Sequence, residues 1–541
     1  MTTIRPSQVS RRQFLRRSAV AAGAALATSA GRAWARPSDF VPAIVIGSGF
    51  GGAVAALRLG QAGIDTLVLE RGRRWPIRPD GNTFATFEQP DGRGYWLREA
   101  SGEDVLGLPQ LVKPVDRFTG LLEIIEGDGM YIGAGAAVGG GSLVFNAIIV
   151  KPNRALFDRL FSRAIDFDEM EAVYYPRVRS VLQSAPIPAD VLATEYYRST
   201  RVGLEQAERA GFPTRLVDLA VDWDIVRQEI AGTAVPSAIA GQSFYGLNSG
   251  AKRSLDHNYL PLAEATGHVD VLPLHQVVAI EHGHGGRYAV TVTQLADDGE
   301  VVGAPRRLTC KYLFIAAGSM GTTSLLVRAR ATGALPALNE HVGRHWAANG
   351  DMGVIRGALP QTNAGTGGPG GHFIFEDLEN PFGPTSLVEI VTPPHINAAL
   401  VAFGAPPSLA NYASLGIPPA IGTFDYVPSS DSVRFTWPAA DPRVATFIAA
   451  AQHTLSILDQ RNGSLTLSIN PSVSAHPLGG AVAGKACDFA GRVKRCPGLY
   501  VVDGALIEGN TGLANPSFTI AALAERCMDQ ILQRDRLSNR P

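Results

Sequence analysis

Ala43-Ile44-Val45-Ile46-Gly47-Ser48-Gly49-Phe50-Gly51-Gly52-Ala53-Val54-Ala55-Ala56-Leu57-Arg58-Leu59 is the stretch whose reading decides the fold. A short apolar run rich in β-branched residues enters a glycine turn, and the residues after it take helical spacing. Within this G-x-G-x-x-G pattern Gly47 permits the tight turn, Gly49 lets a pyrophosphate approach the backbone, and Gly52 lets helix pack closely on strand. The helix N-terminus then offers unpaired N–H groups and a partial positive charge to phosphates. A second apolar run, Thr66-Leu67-Val68-Leu69, ends at Glu70, about 20 residues further on, where a carboxylate can accept hydrogen bonds from ribose hydroxyls. Strand, turn, helix, strand and terminal acid in this order predict a dinucleotide-binding unit.

The 541 residues exceed what one core usually holds, so two domains or one interleaved pair are expected. With 48 basic against 49 acidic residues, no basic field exists to hold nucleic acid. The 59 glycines exceed the usual share of about 7%, as suits many close backbone approaches to a ligand. Cys310, Cys487, Cys496 and Cys527 are too few and scattered for a disulfide framework. Cys487 and Cys496 could pair, but free thiols are expected, and no Cys/His pattern points to a metal.

Ser10-Arg11-Arg12-Gln13-Phe14-Leu15-Arg16, an alanine-rich stretch and Ala33-Trp34-Ala35 read as a twin-arginine export signal over residues 1–35 with an A-x-A cleavage site. The expectation is a secreted or periplasmic protein exported after folding around its cofactor.

From Arg71 to about Gly129 the chain is polar and punctuated by glycine and proline, which predicts a long surface excursion serving as a lid. Gly133 to Asn146 is a second glycine cluster between apolar runs, read as backbone that approaches a ligand. Asp166 to Leu182 is amphipathic, with Pro176 expected to kink or divide it. Val269 to Leu274, Val277 to Ile280, Tyr288 to Thr293 and Tyr312 to Ala316 read as strands, the last entering a helix over about 321–330. Residues 345–460 predict a second β-sheet, and the chain returns to the first unit through Leu499 to Gly504 and a helix from Phe518 to Ile531. The predicted fold class is α/β (α+β overall). A Rossmann-like domain with a mainly parallel sheet (36–150, 265–330 and 470–541) is interleaved with a substrate-binding domain of β-sheet and helices (151–264 and 331–469).

Val45 to Gly51, Val138-Gly139-Gly140-Gly141-Ser142-Leu143-Val144, Ala475-His476-Pro477-Leu478-Gly479-Gly480, Gly491-Arg492-Val493, Val501-Val502-Asp503-Gly504 and Asn515-Pro516, in this order, carry a family likeness. Together they resemble the flavin-dependent cholesterol oxidases of the glucose–methanol–choline oxidoreductase superfamily, in the form that holds FAD noncovalently. The resemblance covers the chain from about Val41 onward. It implies that His476 hydrogen-bonds the substrate hydroxyl beside the flavin, that Asn515 positions substrate, and that Glu389 moves a proton on the steroid ring. It implies FAD contacts at Gly47, Gly49, Phe50, Gly51, Gly52, Glu70, Gly141, Asn146, Val277, Asp503, Gly504, Asn515 and Pro516. The implied activity is oxidation of a 3β-hydroxysteroid by O2 to give peroxide, with isomerisation of the 5-ene-3-ketone to the 4-ene-3-ketone. Its implied partners are a cholesterol-like sterol, O2 and, transiently, a membrane surface, with the protein acting as a monomer.

The chemistry agrees: alcohol oxidation removes a hydroxyl proton as hydride leaves carbon, and histidine, ordinarily titrating near neutrality, suits that proton. Phe145-Asn146-Ala147-Ile148 departs from the family's asparagine, two glycines and methionine, and Gly512-Leu513-Ala514 carries one residue more before Asn515. Alternatives are a flavin dehydrogenase or oxidase of another bulky alcohol, a non-catalytic flavoprotein that binds sterol, and, more remotely, an NAD-dependent enzyme.

Overall fold

The computed structural model describes residues 39–391, 394–406 and 408–540. The twin-arginine stretch lies outside them.

Phe40–Ile46 is a central strand paired on both sides, and Ala43 to Val45 are wholly buried, as a strand covered on both faces requires. It pairs in parallel with Thr66–Leu69 on one side and with the end of Val301–Ile315 on the other. Val269–Leu272 continues the sheet in parallel beyond Thr66–Leu69, and Leu499–Val501 joins Val301–Ile315 in the same sense. Tyr288–Leu295 and His275–His282 extend it antiparallel, giving seven strands. Phe50–Gln61, the helix after the glycine turn, packs against the C-terminal helix Pro516–Arg534. Gly47 has φ +92°, which favours glycine, and a Cβ there would stand 2.3 Å from the Ala316 carbonyl oxygen. The turn therefore sits directly against the loop that follows Val301–Ile315.

The second sheet is antiparallel throughout. Its order is Leu465–Asn470, Met352–Gly357, Ala410–Leu415, Thr385–Ile390, Phe373–Asp377 and Thr214–Leu216. One face carries Phe373, Phe375, Leu387 and Tyr412, which pack with Leu455 and Leu458 of the helix Pro442–Asn462 and Ala207 of Arg198–Arg209. The other face turns Ile390, Asn411 and Ala413 toward a large cavity.

Three local expectations are corrected. The excursion from Arg71 ends in a hairpin, Leu122–Gly127 with Met130–Gly135, whose two-residue connection is Asp128-Gly129. Asp-Gly is a strong hairpin signal, obscured here by the polar residues around it. Val301–Ile315 begins about ten residues before the apolar run, because its first half is an exposed arm paired only with Tyr288–Leu295. Pro176 divides the amphipathic segment as expected, at the start of Tyr175–Leu182, but the break is a π-helical stretch, Met170–Tyr174. That wide turn leaves room for a ring that cannot donate to the preceding turn. The four cysteines are free and buried. Among the described residues no helix is long and apolar enough to cross a membrane.

Candidate active site

A cavity of about 1310 Å³ runs from the glycine turn to the face of the second sheet. Single small-molecule pockets span about 300–1,000 Å³, so there is room for a cofactor and a substrate together. Its walls include Gly47, Gly49, Phe50, Gly51, Glu70 and Val277, Gly141, Asn146, Asp503 and Gly504, and His476, Asn515 and Pro516. Of the anticipated positions only Gly52 and Glu389 lie off its walls. Gly52 supports the turn from behind, since a Cβ there would stand 2.0 Å from the Gly47 carbonyl oxygen.

Glu70 follows its strand and is buried, its Oε2 accepting from Ser48 N at 2.9 Å and Ser48 Oγ at 2.7 Å, its Oε1 from Gly72 N at 2.9 Å. A carboxylate oxygen has two lone pairs, so Oε1 retains capacity for a further hydroxyl. Asp503 caps the turn Gly504–Leu506, accepting from Ala505 N at 2.9 Å and from Thr322 Oγ1. Burial pushes its carboxyl up to about 6.

Asn515 stands at the N-terminus of Pro516–Arg534, and its Nδ2 lies 3.3 Å from His476 Nε2. The loop before it turns through Gly512 at φ +71° and Leu513 at φ +65°. Asn349 clamps that loop, with its Nδ2 donating to Ala514 O at 2.8 Å and its Oδ1 accepting from Thr511 N at 2.9 Å. The loop thus holds Asn515 beside His476.

Glu389 is corrected. Side chains alternate along Thr385–Ile390, so Ile390 faces the cavity and Glu389 faces the helix side. There Glu389 Oε2 accepts from Thr200 Oγ1 at 2.7 Å and lies 3.3 Å from His372 Nδ1, with both partners buried.

Two residues escaped the sequence reading. Asp351 Oδ2 lies 3.2 Å from His476 Nδ1, and no local pattern around Asn349-Gly350-Asp351 marks it. Lys252 looks like a solvent lysine in Ala251-Lys252-Arg253. It is buried, however, and donates to Leu143 O at 2.9 Å, Phe145 O at 2.8 Å and Ser243 O at 2.6 Å. It thereby ties down the turn after Gly141, where Phe145 stands edge-on to Phe50 at 5.6 Å between centroids. Burial pushes its ammonium down to about 7.

The cradle fits FAD. A Cβ at Gly49 would meet only Gly140 Cα at 4.0 Å, and one at Gly141 would meet nothing within 4 Å, so both glycines leave space along the wall. Asn146 Oδ1 and Asn515 Oδ1 are buried without hydrogen-bond partners, as beside a polar ring system. A dinucleotide cradle continuous with a paired His–Asn site defines a flavin-dependent oxidoreductase. Two family profiles, both described as GMC oxidoreductase, match residues 41–346 and 432–524. The chain belongs to the GMC oxidoreductase family, and its cofactor is FAD.

The chain is 26% identical to a cholesterol oxidase of Mycobacterium tuberculosis over 92% of each chain. It is 24% identical to a cholesterol oxidase of Acinetobacter baumannii over 90% of this chain and 94% of that one. Pyridoxine 4-oxidase from Mesorbium loti superposes with a TM-score of 0.58 at 13% identity, covering 91% of this chain and 99% of the other. A fungal aryl-alcohol oxidase gives 0.59 at 15% identity, over 92% and 100%. The structural likenesses show the fold.

Proposed function

We propose that the protein oxidises a bulky apolar alcohol of the 3β-hydroxysteroid class to the ketone, with O2 as final acceptor. The observation that carries this is His476 and Asn515, paired at 3.3 Å on a cavity also lined by the apolar Val144, Phe244, Ile390, Val391, Ile396 and Ala413. The cholesterol oxidases aligned over nine-tenths of the chain support the same substrate class. FAD, when bound, supplies a two-electron acceptor for the hydride leaving the carbinol carbon. The glycine turn, Glu70, Gly141 and Asp503 would hold it.

The protein's own part is proton handling and placement. His476 Nε2 takes the hydroxyl proton, and the Asn515 amide orients the oxygen beside it. The apolar wall excludes water and aligns the rings. Glu389 is turned from this cavity and takes no part, so the reading retains oxidation and drops proton transfer by Glu389. Leu106 is exposed beside Val105 and Leu108, which line the cavity, and this supports transient contact with a lipid surface during substrate capture. The Arg11-Arg12 signal supports export of the folded, flavin-loaded chain.

The test is purified holoprotein with cholesterol in air, following peroxide and conjugated-enone absorbance together. Peroxide formed in step with loss of sterol is expected. If sterol leaves the flavin oxidised in the absence of air, the steroid reading fails.

A further inference from the structure

We propose that Asp351 is a positioning residue for His476, holding the imidazole proton on Nδ1 so that Nε2 is the free base. The inference rests on the reading of His476 as the group that takes the hydroxyl proton. Two observations meet at the ring from opposite sides. On the Nε2 side the Asn515 Nδ2 amide, a donor, stands at 3.3 Å, which calls for a lone pair on Nε2. On the Nδ1 side the Asp351 carboxylate stands at 3.2 Å, where its negative charge favours a proton on Nδ1. Both demands select one neutral tautomer.

The carboxylate is itself held in place. Its Oδ2 accepts from Ser474 Oγ at 3.1 Å and Ala475 N at 3.2 Å, and Ser474 Oγ accepts from His476 N at 3.0 Å. Carboxylate, backbone and ring thus form one unit at the end of the strand pair Val473–Ser474 with Met130–Gly135. The Nδ1 approach is within ion-pair distance but off the line of a hydrogen bond. Hydrogen bonds of reacting groups are often long or poorly aligned before substrate is bound.

The charge has a second consequence. As the substrate O–H bond breaks and an N–H bond forms at Nε2, the ring becomes an imidazolium carrying a proton on each nitrogen. Asp351, partly buried beside Nδ1, stabilises that cation as it forms. A neutral neighbour would hold the ring in place without this electrostatic help, so orientation and charge separate experimentally.

Two variants of the holoprotein make that separation. In Asp351→Asn the amide oxygen still accepts from Ser474 and Ala475, and only the charge is lost. The expected result is a fall in kcat of at least about 10-fold and up to about 10⁴-fold, the cost of the same Asp→Asn change behind a triad histidine, with KM almost unmoved. In the His476→Gln background the same change should cost nothing further, since Asp351 acts through the ring. In Asp351→Ala the acceptor is gone. Nitrogen-15 NMR of labelled histidine, with His476 assigned by its loss in His476→Gln, should show the proton moved from Nδ1 toward Nε2.

That last readout needs no substrate, so it decides the pairing even if sterols are not turned over. Wild-type kcat in Asp351→Asn, an additive loss in the double variant, or a retained Nδ1–H tautomer in Asp351→Ala would each overturn the proposal. If Asp351→Ala fails to retain flavin, Asp351→Asn and the double variant carry the test.

Discussion

Glu389 Oε2 and Thr200 Oγ1 are hydrogen-bonded at 2.7 Å, on the face of the second sheet turned from the cavity. A carboxylate buried there is part of the packing between strand and helix. Glu389→Gln should leave turnover and the product's double-bond position unchanged, and lower stability by about 1–3 kcal/mol. Product analysis by chromatography beside a denaturant melt checks both halves. A change in isomer ratio would return Glu389 to the reaction.

His476→Gln should keep its flavin and lose about 10²–10⁴ in kcat, the usual worth of a general base. Asn515→Ala should fall in the same direction by less, since the amide orients and does not take the proton. Stopped-flow reduction of the bound flavin by the alcohol is the direct measurement.

The glycines of the turn should separate by what their missing Cβ would meet. A Cβ on Gly52 meets the Gly47 carbonyl oxygen at 2.0 Å, so Gly52→Ala must shift helix or turn, costing about 1–3 kcal/mol. A Cβ on Gly49 meets only Gly140 Cα at 4.0 Å. Gly49→Ala should fold like the parent and release FAD more readily, because its methyl occupies the space left for the pyrophosphate. Melting temperature and flavin fluorescence, read together, distinguish the two.

Lys252 provides a pH dependence with a definite sign. Its folded value is about 7, against about 10.4 in an unfolded chain, so between these limits the unfolded state binds more protons. The stability it contributes therefore rises as pH goes from 7 toward 10 and is lost as pH falls through 7. Wild type should gain stability relative to Lys252→Met as pH rises over that window. A difference that is flat from pH 7 to 10 would mean the ammonium stays charged throughout, held by its three carbonyls.

The cofactor half was legible because its signals are local. Strand, glycine turn, helix and terminal acid lie within Ala43 to Glu70, and Gly47 and Gly52 are constrained by backbone a few residues away or just past the parallel strand beside them. His476 and Asn515 were legible only through motifs, and their 3.3 Å approach spans 39 residues of chain.

The sequence by itself determined a dinucleotide cradle, a family and a pair of polar residues for its active end, since short-range periodicity and glycine placement are properties of consecutive residues. Only the tertiary structure decided which way Glu389 points, because alternation along a strand gives two faces and the packing of Arg198–Arg209 and Pro442–Asn462 chooses between them. The same holds for Asp351 and Lys252. Each is unremarkable among its neighbours in sequence and acquires a role from groups more than a hundred residues away.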